Sequence, residues 1–199
     1  MPSKRKISMK DKDLEKYCAL AIGGGATHAK QTHPDTVVTA PWVRLKCQFG
    51  CPGYGMGYCC PPNTPTPEQT RTILDSYQRA ILFHIEVPHM PQREKHYRKF
   101  FDMLVDLEGE IFKEGYYKAF VFLAGPCRLC KKCGKLEDKP CKFLSKARPC
   151  MESCGMDVTV STVMSAVSPL YLMRKKSGEI LISLRSVGLL QTSRTVLSK

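Results

Sequence analysis

The spacing of apolar and polar residues predicts three helices. Residues 11–22 form a short amphipathic segment that stops at a run of three glycines. A second helix is expected over residues 66–79, because Thr66 and Gln69 have the spacing of a capping box at its start. Residues 92–114 keep apolar positions three and four residues apart, which predicts a long helix with one buried face.

Short runs rich in β-branched and aromatic residues predict strands. We expect short strands at residues 36–39 and 42–46, longer strands at 80–87 and 117–124, and a late strand at 179–187. The long helix separates the two longer strands, so this strand–helix–strand crossover has the length that a parallel pair needs. The predicted fold class is therefore α/β (or α+β), with a compact sheet, flanking helices and cysteine-rich metal-binding loops.

Two further segments complete the predicted organisation. Residues 143–152 are expected to be helical, and residues 158–167 fit a strand or a helix equally well. No internal repeat or low-complexity stretch divides the chain, so residues 1–199 are expected to form a single metal-binding domain. Residues 1–10 are expected to be a flexible basic segment.

Composition narrows the class of protein. The hydrophobic fraction of 43% and charged fraction of 25% are those of a globular protein, which excludes disorder of the whole chain. No apolar run approaches the ~18–20 residues of a membrane span, and the charged N-terminal segment lacks the apolar core of a signal peptide. We therefore expect a cytoplasmic protein. Its eleven cysteines then favour metal ligation over disulfides, because the compartment is reducing and an odd number cannot pair completely.

The most specific motif is C-x2-C-x2-C-x7-C. It consists of Cys127, Cys130, Cys133 and Cys141. Ferredoxins use C-x2-C-x2-C for three corners of a [4Fe–4S] cluster and a more distant cysteine for the fourth. Zinc sites use two separated C-x2-C pairs more often, so the spacing favours iron–sulfur over zinc.

A second group of cysteines alternates with glycines between residues 47 and 60. Cys47, Cys51 and Cys60 are its clear candidate ligands, and glycines let backbone N–H groups turn toward a bound anion. Cys59 is adjacent to Cys60, and neighbouring side chains diverge, so a fourth ligand is either Cys59 or a distant cysteine such as Cys154. A site with only three thiolates would leave one iron atom open.

The remaining cysteines carry weaker signals. Cys18 lies in an apolar helical stretch and is expected to be a packed core thiol. Cys150 and Cys154 have i, i+4 spacing, which suits either a ligand pair or two buried thiols on one helix.

Basic residues concentrate around the C-x2-C-x2-C motif. Residues 126–150 hold eight basic and two acidic residues, a net charge of +6 within a chain of net charge +13. The basic residues are Arg128, Lys131, Lys132, Lys135, Lys139, Lys142, Lys146 and Arg148. Such a surface suits an acidic redox protein such as a ferredoxin or flavodoxin, or nucleic acid. We favour the acidic protein, because no helix-turn-helix or RNP signature is present.

Five segments of the chain carry a resemblance to a known family. They are residues 42–54, 60–62, 125–133, 147–152 and 155–158. With these segments the chain resembles, over nearly its whole length, the predicted metal-binding family catalogued as domain of unknown function 2284. The resemblance implies metal binding in the cytoplasm of an anaerobe.

The resemblance also implies a ligand set of seven cysteines. They are Cys47, Cys51, Cys60, Cys127, Cys130, Cys133 and Cys141. Cys59 lies outside the family's pattern, and Cys150 often faces a small residue such as serine there. The resemblance therefore does not extend to Cys59, Cys150 and Cys154 as ligands.

The leading functional hypothesis is an iron–sulfur protein that binds one or two [4Fe–4S] clusters and serves electron transfer, or an accessory redox role, in anaerobic metabolism. One alternative is a zinc-stabilised module that binds nucleic acid or protein. Another is an enzyme that uses an open cluster iron as a Lewis acid.

Overall fold

The computed structural model describes residues 12–86, 91–159 and 186–192. Within them the chain forms four α-helices and a sheet of four strands. The helices are α1 (Lys12–Gly23), α2 (Pro41–Gly50), α3 (Pro67–Asp75) and α4 (Arg93–Lys113). The strands are β1 (His28–Thr32), β2 (Arg79–Ile85), β3 (Phe120–Phe122) and β4 (Ser186–Thr192). The predicted mixed α/β class is confirmed.

The sheet has the strand order β1-β2-β4-β3, and each neighbouring pair is antiparallel. Strands β2 and β3 run in the same direction because both are antiparallel to β4. The predicted crossover through α4 is therefore present, but β2 and β3 are not a hydrogen-bonded pair. Strand β4, from much later in the chain, lies between them. The sequence of the β2-α4-β3 segment alone does not predict this insertion.

Strand β2 is buried on both faces. Ile81 and Phe83 belong to a core shared with α1 and α4, whereas Ala80 and Leu82 belong to a second core. Alternate residues of a strand point to opposite faces, so the two cores lie on opposite sides of the sheet. The second core includes Leu74 of α3 and residues that follow the C-x2-C-x2-C motif, so this motif is anchored to the sheet.

Local signals account for the helices. In α1, Leu14, Tyr17 and Ala21 lie on one buried face at helical spacing. The predicted capping box of α3 is confirmed, because the Gln69 N–H donates to Thr66 Oγ1 at 3.2 Å and the Thr66 N–H donates to Gln69 Oε1 at 2.9 Å. Helix α3 ends at Asp75, earlier than expected, because the next strand begins at Arg79.

Three local predictions are wrong. Residues 36–39 form no strand, since a 3-10 turn occupies Pro34–Thr36 and Thr39 makes a single bridge to Met156. Residues 42–46 are part of helix α2. Residues 143–152 are not a helix, because the chain there runs in turns before it pairs beside β3.

Three other predictions fall wholly or largely outside the described residues. They concern residues 1–10, residues 158–167 and the first part of the late strand, 179–185. The late strand is described from Ser186 to Thr192, where it forms β4. None of the described helices combines the length and the apolar character that a membrane crossing requires.

Two segments contain the candidate ligands, and the fold fixes the ends of both. The first cysteine loop, residues 47–63, begins in the last turn of α2 and leads into α3. The second cysteine loop, residues 125–148, leaves the end of β3 and returns to it, because the Met151 N–H donates to the Leu123 carbonyl at 2.9 Å. Because of this pairing, the second loop begins and ends beside β3, at one edge of the sheet.

Candidate metal centre

The first cysteine loop is a series of tight turns that begins at the end of α2. The Cys51 N–H donates to the Cys47 carbonyl at 3.3 Å, which caps the helix. The Asn63 side-chain amide donates to the Gly57 carbonyl at 3.1 Å, and the Gly55 N–H donates to the Pro61 carbonyl at 2.8 Å. These bonds fold the chain back on itself, so Cys47, Cys51 and Cys60 lie close together.

The second cysteine loop is closed at its centre by a glycine. A carbon added at Gly134 would lie 2.7 Å from the Lys139 carbonyl oxygen and 2.8 Å from that of Pro140. Only a residue without a side chain allows this approach. Because Cys133 and Cys141 flank the closed segment, their seven-residue separation becomes a short distance in space.

The two cysteine loops pack directly against each other. A carbon added at Gly57 would lie 3.7 Å from Cys133 Sγ, so that sulfur rests on the glycine-rich part of the first loop. The Tyr58 hydroxyl donates to the Lys139 carbonyl at 2.9 Å, which ties the loops together at a second point. The candidate ligands therefore form one continuous group of thiols rather than two remote sites.

One pair of thiols interacts across the two loops. The Cys59 thiol lowers the pKa of Cys127, and the Leu129 N–H lowers it further, whereas burial opposes the shift. Interaction with Cys127 and burial raise the pKa of Cys59. A lowered pKa favours the thiolate, which is the form that binds metals.

The pKa values of Cys60 and Cys47 are raised, in the opposite direction to that of Cys127. Burial raises the pKa of Cys60, and the nearby Cys51 and Cys47 raise it further. Burial also raises the pKa of Cys47, and Cys51 adds to the shift. Several thiolates at this spacing repel one another, so a cation that accepts them all would relieve the repulsion.

The eight candidate ligands predicted from the sequence are all brought into this region. They are Cys47, Cys51, Cys59, Cys60, Cys127, Cys130, Cys133 and Cys141. All eleven cysteines carry free thiols. Their roles as ligands stay a prediction. Within the described residues, no three His, Cys, Asp or Glu side chains converge at the spacing of a single bound metal ion.

The other three cysteines belong to the cores. Cys18 packs against the core of α1 and α4, as expected, and burial raises its pKa to about 11. Cys154 is fully buried in the second core, and burial raises its pKa to about 11 as well. Cys150 is buried and accepts a hydrogen bond from the Ser153 N–H at 3.3 Å. The helix predicted over residues 143–152 is absent, but the Cys154 N–H donates to the Cys150 carbonyl at 3.3 Å, so a single helical turn joins these two buried thiols.

A buried ion pair that sequence reasoning missed holds the end of the second loop. Arg148 donates to both oxygens of Glu108, at 2.6 and 3.0 Å, and Glu108 also accepts from the Val121 N–H at 2.7 Å. The side chains of Arg148 and Glu108 are only 15% and 10% exposed. A signal was available, because Glu108 occupies a position in the otherwise apolar stripe of α4.

A second missed residue joins α2 to the segment after the second loop. The Arg44 guanidinium donates to the carbonyls of Pro65 at 2.8 Å and Ser153 at 2.7 Å, and to Thr64 Oγ1 at 3.2 Å. These bonds satisfy backbone acceptors beside the cysteine loops. Arg44 looked like a residue of a strand in the sequence, and only the helix turns it inward.

The basic surface is smaller than the sequence indicates. Arg148 is buried in its ion pair, and Lys132 and Lys139 both pair with Glu137, at 3.0 and 2.9 Å. The remaining exposed lysines that make no ion pair with described residues are Lys131, Lys142 and Lys146. Burial and the neighbouring Cys127, Cys133 and Cys141 raise the pKa of Cys130, and the charge of Lys142 partly offsets this rise.

A pocket of about 420 Å³ opens beside the thiols. Cys59 and Cys141 line it together with Tyr58, Asn63 and Leu144. The pocket lies where the two cysteine loops meet, so an occupant would contact the candidate metal centre from the solvent side.

A comparison with protein families gives one match. A family model described as predicted metal-binding protein (DUF2284) matches residues 30–189, a range that contains every candidate ligand. No curated protein and no solved structure matches the chain at a significant level.

Proposed function

The chain belongs to the DUF2284 family of predicted metal-binding proteins, and from this premise we propose that it is an iron–sulfur protein that carries electrons. A bound [4Fe–4S] cluster supplies one-electron chemistry, in which an electron from a reduced donor converts its 2+ core to 1+ and passes on to an acceptor. The protein's own task is to hold the thiolates, exclude water and present the site to a partner.

The observation that carries this proposal is the packing of the two cysteine loops. It assembles thiols from C-x2-C-x2-C and from the glycine-rich loop into one group, with Cys133 Sγ 3.7 Å from the position of a side-chain carbon at Gly57. The donor set is made of sulfur alone, which suits iron–sulfur clusters and zinc better than magnesium or calcium.

The sequence spacing of the thiols supports a cluster over zinc. C-x2-C-x2-C supplies three corners of a [4Fe–4S] cluster in ferredoxins, in which each thiolate binds a different iron atom. Zinc sites more often use two separated C-x2-C pairs.

The decisive test is metal and sulfide analysis of protein purified without oxygen. We expect a brown protein that contains iron and acid-labile sulfide in equal amounts, with broad charge-transfer absorbance. The variant Cys130→Ala should lose about half of the iron if two clusters are present, whereas Cys18→Ala should retain all of it. A colourless protein that contains zinc would favour the alternative binding module and refute this proposal.

The proposed partner is an acidic redox protein such as a ferredoxin or flavodoxin. Lys131 and Lys142 are exposed, near the second loop's thiols, and make no ion pair with described residues. Electrostatic steering by such lysines weakens as salt shortens the Debye length, which is ~8 Å at physiological ionic strength.

Stopped-flow electron transfer to a flavodoxin tests the docking surface. The rate should fall steeply with added salt, and Lys131→Gln/Lys142→Gln should reduce both the low-salt rate and its salt dependence. Lys30→Gln is the matched control, because β1 is at the opposite edge of the sheet from β3. If both variants behave like the unmodified protein, the lysines only balance the charge of the bound group.

A further inference from the structure

A narrow cleft between α4 and the second cysteine loop is lined by basic side chains. Its volume is about 30 Å³, which is room for a group the size of one or two water molecules. The charged side chains that line it are Arg98 and Asp102 of α4, and Arg128, Lys146 and Arg148 of the second cysteine loop. Four of these five carry positive charge, so the cleft is suited to an anionic group.

The deeper part of the cleft is apolar. It is formed by the buried side chains of Val105 and Leu123, together with the half-buried Phe101 and Leu129. Apolar walls lower the local dielectric constant, so a charged hydrogen bond formed against them is stronger than one on an open surface.

Three of the basic side chains are available to an incoming anion. Arg98 and Lys146 have no counter-ion among the described residues, and Asp102, one helical turn from Arg98, forms no ion pair with it. Arg128 pairs with Glu94 at 3.4 Å, but both side chains are exposed. Such exposed pairs contribute little, so Arg128 can exchange Glu94 for another carboxylate. The fourth basic residue is already neutralised in the buried ion pair.

The cleft also reaches the candidate metal centre. Cys127 lines it and is exposed, and Gly125 and Pro126 lead into it from the end of the sheet. A protein bound over the cleft would therefore cover the sulfur of a candidate ligand, which is the side from which an electron can leave.

We propose that this cleft receives one surface carboxylate of the acidic redox partner and so fixes the orientation in which that partner docks. The inference rests on the proposed function. Arg98 and Arg128 each present a planar group of N–H donors, whose geometry matches the two oxygens of a carboxylate. Lys146 adds a third positive charge. Lys131 and Lys142 attract the partner over a longer range, whereas the cleft selects the carboxylate that binds beside the metal centre.

Calorimetric titration of the full-length protein with an acidic flavodoxin, without oxygen, tests the cleft. Arg98→Gln should weaken binding about fivefold at low salt, because the bound carboxylate loses a charged partner. Lys99→Gln is the matched control, since Lys99 is exposed on the same helix but does not line the cleft. It removes the same charge and should weaken binding by less than about twofold. Arg98→Lys should recover only part of the affinity, because it keeps the charge and loses the planar donors. Equal effects of Arg98→Gln and Lys99→Gln would overturn the proposal.

The acidic residue at the cleft gives a prediction of opposite sign. Asp102 would repel an incoming carboxylate, so Asp102→Asn should tighten flavodoxin binding about threefold. Asp106→Asn is the matched control, because Asp106 is exposed one turn further along α4 and does not line the cleft. A purely structural role of Asp102 would not strengthen binding. The proposal fails if Asp102→Asn weakens binding or has the same effect as Asp106→Asn.

Iron content distinguishes failure of this inference from failure of the proposed function. Arg98→Gln should keep its full iron and sulfide content, and loss of iron would assign Arg98 to the metal centre and overturn the docking role. Unmodified protein without iron would refute the proposed function, whereas iron-containing protein in which Arg98→Gln binds flavodoxin like Lys99→Gln would refute only this inference. Tighter binding of a single-stranded DNA oligonucleotide than of flavodoxin, lost in Arg98→Gln, would identify nucleic acid as the occupant and overturn the proposal.

Discussion

Replacing Glu108 with glutamine should destabilise the protein more than any change at an exposed carboxylate. The substitution keeps the shape of the side chain and removes its charge. It leaves the Arg148 guanidinium, which is mostly buried, without a counter-ion. One amide oxygen can still accept from the Val121 N–H, the bond that spans 2.7 Å in the protein.

The structure sets the expected magnitude. Arg148 makes three charged hydrogen bonds to Glu108, at 2.6, 3.0 and 3.2 Å, between side chains that are 15% and 10% exposed. Breaking a buried pair by removing one partner costs about 3–5 kcal/mol. Glutamine preserves some bonds, so we expect Glu108→Gln to lower the free energy of unfolding by about 3 kcal/mol.

Urea unfolding followed by circular dichroism, without oxygen, measures this loss. Glu110→Gln is the matched control, because Glu110 is exposed on the same helix and should change stability by less than about 0.5 kcal/mol. The double variant Glu108→Gln/Arg148→Met should be less destabilised than the sum of its single variants, since neither charge is then left alone. A loss below about 1 kcal/mol in Glu108→Gln would show that the pair is hydrated or not formed.

The ion pair also holds the second cysteine loop. Arg148 donates to the carbonyls of Ser145 at 3.1 Å and Ala147 at 3.0 Å, so its displacement would release the end of that loop. Iron content should therefore fall in Glu108→Gln and stay unchanged in Glu110→Gln. If Glu108→Gln is less stable but keeps its full iron content, the ion pair contributes to folding and is not needed for metal binding.

Three glycines give further predictions. Gly155→Ala should cost about 3 kcal/mol, because Gly155 has a φ of 78° and an added carbon would lie 2.5 Å from the rigid ring of Pro67; an effect below 1 kcal/mol in urea unfolding would contradict this packing. Gly109→Ala should instead stabilise α4 by up to about 1 kcal/mol, since nothing lies within 4 Å of its added carbon, and a lower melting temperature would count against it. Gly134→Ala should reduce iron content by opening the second loop, and a variant with full iron would show that the close approach to the carbonyls is dispensable.

Local sequence patterns predicted an element correctly where the spacing of its apolar residues matched the face that the fold buries. Helices α1, α3 and α4 and strand β2 could be predicted, because their apolar residues recur at the period of the element and their ends carry caps or glycines. The cysteine spacing likewise identified the candidate ligands, since C-x2-C-x2-C is set by chemistry that acts over a few residues.

Local patterns failed where distant contacts decide the backbone. Residues 42–46 have the composition of a strand, but they lie in helix α2, where Arg44 reaches the distant Ser153 carbonyl. Residues 143–152 have the composition of a helix, but the bonds of Arg148 hold them in turns.

The grouping of the thiols is the clearest case of a feature that only tertiary structure decides. In the sequence, Cys59 is adjacent to Cys60, and Cys133 lies between Cys130 and Cys141. These separations along the chain do not show which thiols are close in space. In the folded protein Cys59 and Cys141 line the same pocket, and the sulfur of Cys133 rests on Gly57. The cause is long-range, because pairing at Leu123 and the Tyr58 hydrogen bond to Lys139 set how the two cysteine loops face each other.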